Sequence, residues 1–211
     1  AITDNSTVVY ASSAAVYGNL PSPQTEGIES PENPYGYSKY AMDKIANHYR
    51  ETNPNLNITG LRYFNVYGHN EFYKGNTASM VIQLGHQILS GNAPRLFENS
   101  NSIMRDFIHI KDVIQANIKA INTNGTYNIG TGVSRSFQDI ADILQKELGT
   151  DLGTEYFPNP FDGYQVNTKA NIAKSEKILK FKSKITLEMG IKEYIPEIKK
   201  SFGKDFLWII C

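Results

Sequence analysis

Cysteine is nearly absent from this sequence. The only one is Cys211, which excludes an internal disulfide framework and a cysteine-built metal site, and fits a reducing, cytoplasmic setting. An excess of charge is missing too. Lys and Arg total 21 and so do Asp and Glu, so no basic field attracts nucleic acid and no charged tail stands out. No apolar run reaches the length of a membrane span, and none is expected to enter a bilayer. The apolar tail Phe206-Leu207-Trp208-Ile209-Ile210 is far too short, and reads as a buried end or an oligomer contact. The four histidines, His48, His69, His86 and His109, show no metal-ligand spacing and read as structural or surface residues, so no metal is expected. What remains is small-molecule chemistry or protein contact. The 211 residues, 40% of them hydrophobic, suffice for one large domain or one and a half. No repeat and no low-complexity tract is present.

The most informative stretch is Asn33-Pro34-Tyr35-Gly36-Tyr37-Ser38-Lys39. Asn33 suits a helix N-cap and Pro34 the first turn, where its missing N–H costs nothing. Tyr35 and Lys39, four apart, then share one helix face. A phenol beside an ammonium, near the positive end of a helix dipole, has its phenolate form favoured by both. Such a group can exchange a proton near neutral pH, as a general acid or base must. Taken alone, the pair also describes an ordinary solvated helix face. The rest of the chain decides between the two.

Val8-Val9-Tyr10-Ala11 reads as a buried strand that ends at small residues, Ser12 to Gly18, which leave room for a ligand. Because the chain opens on Ala1 and enters this strand at once, the expectation is a chain whose front is missing. Residues 19–32 read as an exposed loop, and the Tyr35 helix continues to about Thr52. Asn57 to Phe64 is the next strand, ending in a polar turn, Asn65-Val66-Tyr67-Gly68. A polar loop, His69 to Thr77, holds Lys74. Ser79 to Leu89 reads as an amphipathic helix closed by Gly91. Arg95 to Phe97, Met104 to Ile110, Thr126 to Ile129 and Glu155 to Phe157 read as strands. Asp112 is placed as the cap of a helix to about Ile121, and Ser136 as the cap of one through Leu148. Asn171 to Leu179 and Leu187 to Lys200 read as closing helices, the second interrupted at Pro196. Alternating strands and helices argue for an α/β fold with a parallel sheet, whose ligands gather outside the C-terminal strand ends.

Five motifs in order together resemble the extended short-chain dehydrogenase/reductase family of nucleotide-sugar enzymes. They are Ser12-Ser13-Ala14-Ala15-Val16-Tyr17-Gly18, Tyr35-Gly36-Tyr37-Ser38-Lys39, Leu61 through Gly68, Arg105 through Val113, and Tyr127-Asn128-Ile129-Gly130-Thr131-Gly132. Three further stretches, Tyr73 through Ser79, Pro94 through Ser100 and Gly163-Tyr164-Gln165, are similar to the branch that acts on ADP-heptose, a precursor of the lipopolysaccharide core. The resemblance implies the C-terminal part of a Rossmann-like parallel sheet plus a smaller α/β substrate-binding domain. Residues 1–67 would be the back part of the dinucleotide-binding domain. Residues 68–211 would be mostly substrate-binding, with some segments returning to the Rossmann part. The family's glycine-rich phosphate loop and its ribose-reading residue are absent, so roughly the first third of a family member is missing and NADP is expected to bind poorly or not at all to this chain alone. Homo-oligomerisation is expected of the full-length protein.

The implied reaction is epimerisation at C6 of an ADP-linked heptose through a transient ketone, with NADP as cofactor and NAD as the alternative. An unactivated C–H is not acidic, so the hydrogen must leave as hydride. Ser13, Tyr35 and Lys39 would be the catalytic set and Lys74 a second acid/base. Lys39, Val66 and Lys74 would touch the cofactor. Asn65, Asn76, Gln83, Phe97, Glu98, Asn99, Ser100, Arg105 and Tyr164 would contact substrate. Arg105 suits a diphosphate by bidentate contact, or else pairs locally with Asp106. Phe97 could face the adenine. Lys74 could equally be a solvated loop lysine, and Phe97 and Tyr164 core residues. Two alternatives remain within the family: another nucleotide-sugar epimerase, or a dehydratase, against which Ala14 and Ala15 count where an acidic pair is usual. An inactive truncated fragment is the third.

Overall fold

The computed structural model describes residues 7–160 and 165–203. The expectations for Tyr164 and for the apolar tail at Phe206–Ile210 lie outside these. Three parallel strands, β1 (Thr7–Ser13), β2 (Asn57–Tyr63) and β6 (Gly125–Ile129), form one sheet in the order β1-β2-β6. Their registers set Ser13 beside Tyr63 and Tyr63 beside Ile129, so the three C-terminal ends share one edge. Helix α1 (Pro34–Thr52) makes the crossover from β1 to β2. Asn33 caps it through a hydrogen bond from the Gly36 N–H, with Pro34 at its start, as the sequence predicts.

A second sheet joins β3 (Asn65–Tyr67), parallel to β5 (Met104–His109), with β7 (Ser134–Ser136) antiparallel on the other side of β5. A third pairs β4 (Arg95–Phe97) with β8 (Glu155–Phe157). The largest core lies among helices α2 (Met80–Leu89), α4 (Phe137–Leu148) and α5 (Leu187–Ser201), where Val81, Leu84, Ile140, Leu144, Ile191 and Ile198 are buried. Burying each such side chain contributes about 1.5–3 kcal/mol. The second core packs α3 (Ile110–Ala120), through Val113, Ala116 and Ala120, on Leu61, Tyr127 and Ile129 of β2 and β6. Ser136 caps α4 and its N3 partner Asp139 returns a bond to the cap, a full capping box.

Several expectations are corrected or refined. The Val8–Ala11 strand is not buried: β1 is the edge of its sheet among the described residues, and Val8 is 46% exposed. Asn65-Val66-Tyr67 is not a turn, because those residues find β5 as a partner and become β3. Asp112 does not cap α3. His109 does, by accepting from the Lys111 N–H, and Asp112 instead accepts from Ser183 Oγ and from the backbone N–H groups of Lys184 and Ile185. The span from Asn171 to Leu179 turns helical only at Ala173, and its last five residues, Ser175–Leu179, form a π-helical turn. Pro196 does not interrupt α5, which runs through it from Leu187 to Ser201. The cost of one missing rung is offset by the buried face Ile191, Tyr194, Ile195 and Ile198. The turn holding Lys74 is also more ordered than a plain loop: Phe72–Thr77 form 3-10 turns broken at Gly75, where φ is +54°.

The bonds made by Asp112 tie the 183–185 segment to the start of α3. Asp112→Ala strands two backbone donors and a hydroxyl there, and is expected to cost about 1–3 kcal/mol in urea-induced unfolding. An unchanged midpoint would show that this carboxylate holds nothing together.

Candidate active site

Ser13 ends β1, and Tyr35 and Lys39 stand on the first turns of α1, which packs against β1 and the turn that follows it. Ser13 is the last residue of β1, and its Oγ accepts from the Ala15 N–H at 3.1 Å, opening the 3-10 turn Ala14–Tyr17. Tyr35 lies in the first turn of α1 and is 57% exposed. Lys39, one turn on, brings its Nζ to 5.8 Å from the centre of the Tyr35 ring and donates to the Ala11 carbonyl of β1 at 3.0 Å. The ammonium therefore sits between the phenol and the strand end. Gly36 allows this closeness. A Cβ there would lie 2.5 Å from the Ala15 carbonyl oxygen, so only glycine lets α1 rest on the turn after Ser13.

The neighbouring tyrosines differ from Tyr35. Burial, reinforced by the Asp43 carboxylate, pushes the Tyr10 phenol up to about 12. Burial also pushes the Tyr17 phenol up, although the Arg62 guanidinium works against it. Both are held neutral and hydrogen-bonded, Tyr10 to Asp43 at 2.9 Å and Tyr17 to Asn128 at 2.6 Å. Neither is placed to exchange a proton with a ligand. Tyr35 alone of the three faces solvent.

Lys74 is exposed on the 3-10 turns before α2, and its ammonium makes no hydrogen bond or ion pair among the described residues. Asn76, exposed on the same turns, accepts through its backbone carbonyl from Gln83 Nε2 at 3.3 Å. Asn65 is exposed at the start of β3, and Val66 packs at the margin of the second core. Arg105 is buried in β5 and does not pair with Asp106. Its guanidinium donates to the Met104 and Gln165 carbonyls and lies 5.7 Å from the Phe137 ring centre. Asp106 instead accepts from Thr131 Oγ1 and from the N–H groups of Thr131, Gly132 and Ala170, while burial raises its pKa against those bonds.

Gln83, Phe97 and Ser100 line one cavity of about 280 Å³ between α2, β4 and the start of α4. Glu98 and Asn99, between Phe97 and Ser100, are exposed and do not line it, Glu98 donating its N–H to the Phe157 carbonyl and Asn99 in a left-handed turn with φ of +62°. Ser100 Oγ is buried and has no hydrogen-bond partner, an orphaned hydroxyl beside a void that a polar ligand would satisfy. Phe137, Phe157, Arg95 and Gln87, with the apolar Met80, Leu96 and Ile103, complete the wall, and none of these is assigned to a site by the sequence. Phe157 sits opposite Phe97 in the β4–β8 register, their ring centres 5.0 Å apart and nearly perpendicular. Arg95 lies over the Phe157 ring and pairs with Glu155 at 3.0 Å. The signal was partly present, since Arg95–Phe97 and Glu155–Phe157 both read as strands, but nothing local says that they pair. The arrangement offers flat apolar faces, two amides and a hydroxyl to a ligand.

A family model described as the NAD dependent epimerase/dehydratase family matches residues 1–130. An ADP-L-glycero-D-manno-heptose-6-epimerase of Brachyspira hyodysenteriae is 40% identical over 203 residues, covering 92% of this chain and 64% of that protein. The crystal structure of the Helicobacter pylori ADP-L-glycero-D-manno-heptose-6-epimerase superposes with a TM-score of 0.84 at 42% identity, covering 92% of this chain and 60% of that one. A UDP-N-acetylglucosamine 4-epimerase from Methanobrevibacter ruminantium, solved with UDP-N-acetylmuramic acid, gives a TM-score of 0.85 at 26% identity, covering 93% of this chain and 64% of that one. The chain thus spans somewhat under two thirds of the length of each.

Gly36→Ala drives a methyl into the Ala15 carbonyl and must lift the first turn of α1. It is expected to destabilise by about 1–3 kcal/mol in denaturant unfolding, and a stability equal to that of the parent would contradict the close contact.

Proposed function

The chain belongs to the NAD dependent epimerase/dehydratase family, and from that premise we propose that the protein carrying it inverts C6 of the heptose of ADP-D-glycero-D-manno-heptose to give ADP-L-glycero-D-manno-heptose. The observation that carries this reading is the placement of Lys39 beside both the Tyr35 ring and β1, the strand whose last residue is Ser13. The names of two relatives at 40% and 42% identity supply the substrate. We further propose the division read from the sequence, with residues 1–67 on the dinucleotide side and most of 68–211 on the substrate side.

The residues present fit the nicotinamide end of a dinucleotide. Lys39 gives one N–H to the Ala11 carbonyl, and an ammonium has three, so donors remain for a ribose hydroxyl. Lys39, Val66 and Lys74 would hold that end; NADP is the proposed form and NAD the alternative. When bound, the nicotinamide supplies removal and return of hydride at the carbon bearing the hydroxyl. This chain's own residues handle the oxygen and its proton. Ser13 Oγ hydrogen-bonds the reacting oxygen. Tyr35 Oη takes or gives the hydroxyl proton. Lys74 does the same from the other side, which inversion requires if the carbon presents opposite faces in the two steps. The aromatic cavity suits the ADP moiety, with the adenine against Phe97 and Phe157, Gln83 on its edge and Ser100 Oγ on a polar atom. Arg105, beside Phe137, is proposed for the diphosphate, with Asn65, Asn76, Glu98, Asn99 and Tyr164 as further contacts. The protein is proposed to work in the cytoplasm, as a homo-oligomer.

Lys74→Ala in the complete protein tests the assignment. Epimerisation of ADP-heptose is expected to fall by about 10²–10⁴-fold, the usual worth of a general acid or base, while bound dinucleotide is retained. Turnover close to that of the parent would remove Lys74 from the mechanism. No turnover of ADP-heptose by the parent protein would remove the substrate.

A further inference from the structure

Away from Ser13 and Tyr35, at the base of the turn that carries Lys74, two histidines and a carboxylate face one another. His69 follows β3, His109 ends β5 and Glu193 lies on α5. Their nearest ligating atoms all lie within 4.8 Å of one another. We propose that His69 Nε2, His109 Nε2 and a Glu193 oxygen bind a divalent transition metal of the zinc class, with water completing a tetrahedron.

Four observations carry this. First, His109 is fully buried, belongs to this group, and its Nε2 has no hydrogen-bond partner. A buried polar nitrogen left unsatisfied is costly, and a metal ion would satisfy it once the ring proton moves to Nδ1. Second, His69 Nε2 is already 3.2 Å from Glu193 Oε1. Ligand atoms about 2.0–2.2 Å from a tetrahedral zinc stand roughly 3.2–3.6 Å from each other, so pairs that lie within 4.8 Å need to close by at most about 1.5 Å. His69 and Glu193 are each about one third exposed and free to make that adjustment. Third, the far nitrogen of His69, Nδ1, is hydrogen-bonded to the Glu197 carboxylate, which also accepts from the Asn70 N–H at 2.7 Å. A carboxylate behind a histidine fixes its tautomer and raises its basicity, the usual support of a zinc ligand. Fourth, α5 is built to lie close at this point. A Cβ on Gly190 would stand 2.0 Å from Tyr67 Oη and 3.1 Å from His109 Cδ2, so glycine there brings Glu193, one turn on, over the buried imidazole.

Two present contacts yield to the metal. The Lys111 ammonium now pairs with Glu193, but its side chain is 56% exposed and such a surface pair contributes about 0–1 kcal/mol. His109 Nδ1 accepts from the Lys111 N–H across 3.4 Å. Coordination through Nε2 places the ring proton on Nδ1 and gives up that long bond. The bound ion would then join β3, β5 and α5 beneath the Lys74 turn.

Metal-stripped protein titrated with Zn²⁺ by calorimetry, and with Co²⁺ by visible absorption, provides the test. One equivalent of Zn²⁺, tetrahedral Co²⁺ bands and a raised melting temperature are expected. His69→Ala and Glu193→Gln should each weaken binding by more than tenfold, Glu197→Gln by about 10–100-fold, and His48→Ala not at all. Both ligand substitutions are at part-exposed positions, and equal melting temperatures without metal establish that they fold. No stoichiometric binding by the parent protein, or binding unchanged in His69→Ala and Glu193→Gln, would leave an ordinary ion-pair cluster and overturn the proposal. Neither result depends on whether ADP-heptose is the substrate.

Discussion

The carboxylate of Asp43 fixes where the candidate catalytic helix lies. It is 5% exposed and accepts three hydrogen bonds, from Tyr10 Oη at 2.9 Å, Ser12 Oγ at 3.0 Å and Arg62 Nε at 2.9 Å. Two of those donors stand on β1 and the third on β2, so one side chain pins α1 to both strands. Tyr35, Lys39 and Asp43 are spaced four apart and form one stripe along α1. The stripe runs from an exposed phenol, through an ammonium bonded to the strand end, to a buried anion. Asp43 is thus the deep anchor of the same helix face that presents the two candidate groups.

Burying such charges costs several kcal/mol each, and the cost is met only when every partner is in place. Here it is. Arg62 also reaches Glu29 at 2.7 Å and Tyr17 Oη at 2.9 Å. Burial disfavours its charge, but Tyr17, Asp43 and Glu29 together hold the guanidinium more firmly protonated than usual. A network with so little slack specifies one position better than an apolar contact of the same area, which tolerates sliding. The loop that carries Glu29, the turn after β1, helix α1 and strand β2 are set against each other by it. The geometry of Ser13, Tyr35 and Lys39 follows from that arrangement rather than from contacts among the three.

What the sequence made legible is what short-range chemistry decides. Asn33 and Pro34 announced α1, and Ser136 announced α4, because a cap and its helix are within four residues. The parallel sheet was legible from alternation of strands and helices. Long-range partnerships were not. Asn65-Val66-Tyr67 looks like a turn until β5 is beside it, and Ser134–Ser136 has nothing to mark it as a strand except the Met104–Asp106 edge it pairs with. Asp112 has the chemistry of a cap, and its real donors lie over seventy residues away. Pro196 breaks a helix in isolation, whereas here a buried face holds the helix through it. The same limit explains the candidate site. Phe97 was in view, but Phe157 and Phe137 enter its cavity only through pairing and packing that no spacing encodes. The four histidines have no ligand spacing along the chain, yet His69 and His109 come together because β3 and β5 are neighbours.

The two halves of the candidate site rest on different cores and are joined by very little chain. Strand β2 ends at Tyr63 in the sheet of β1 and β6, and β3 begins at Asn65 in the sheet of β5 and β7, so Phe64 alone separates them. Phe64 is 5% exposed. Its N–H bonds to the Ile129 carbonyl at 3.0 Å, and its ring packs on Tyr17, whose hydroxyl belongs to the Arg62 network. The residue where the chain leaves one sheet for the other is therefore held by the same buried polar cluster that positions α1. Beyond it, β3 leads within a few residues to His69, to the turn of Lys74 and to α2 with Gln83 on the cavity wall. Tyr35 on one side and Lys74 with the aromatic cavity on the other are thus referred to a common origin, which is what a site assembled from separate segments needs if their groups are to act on one carbon.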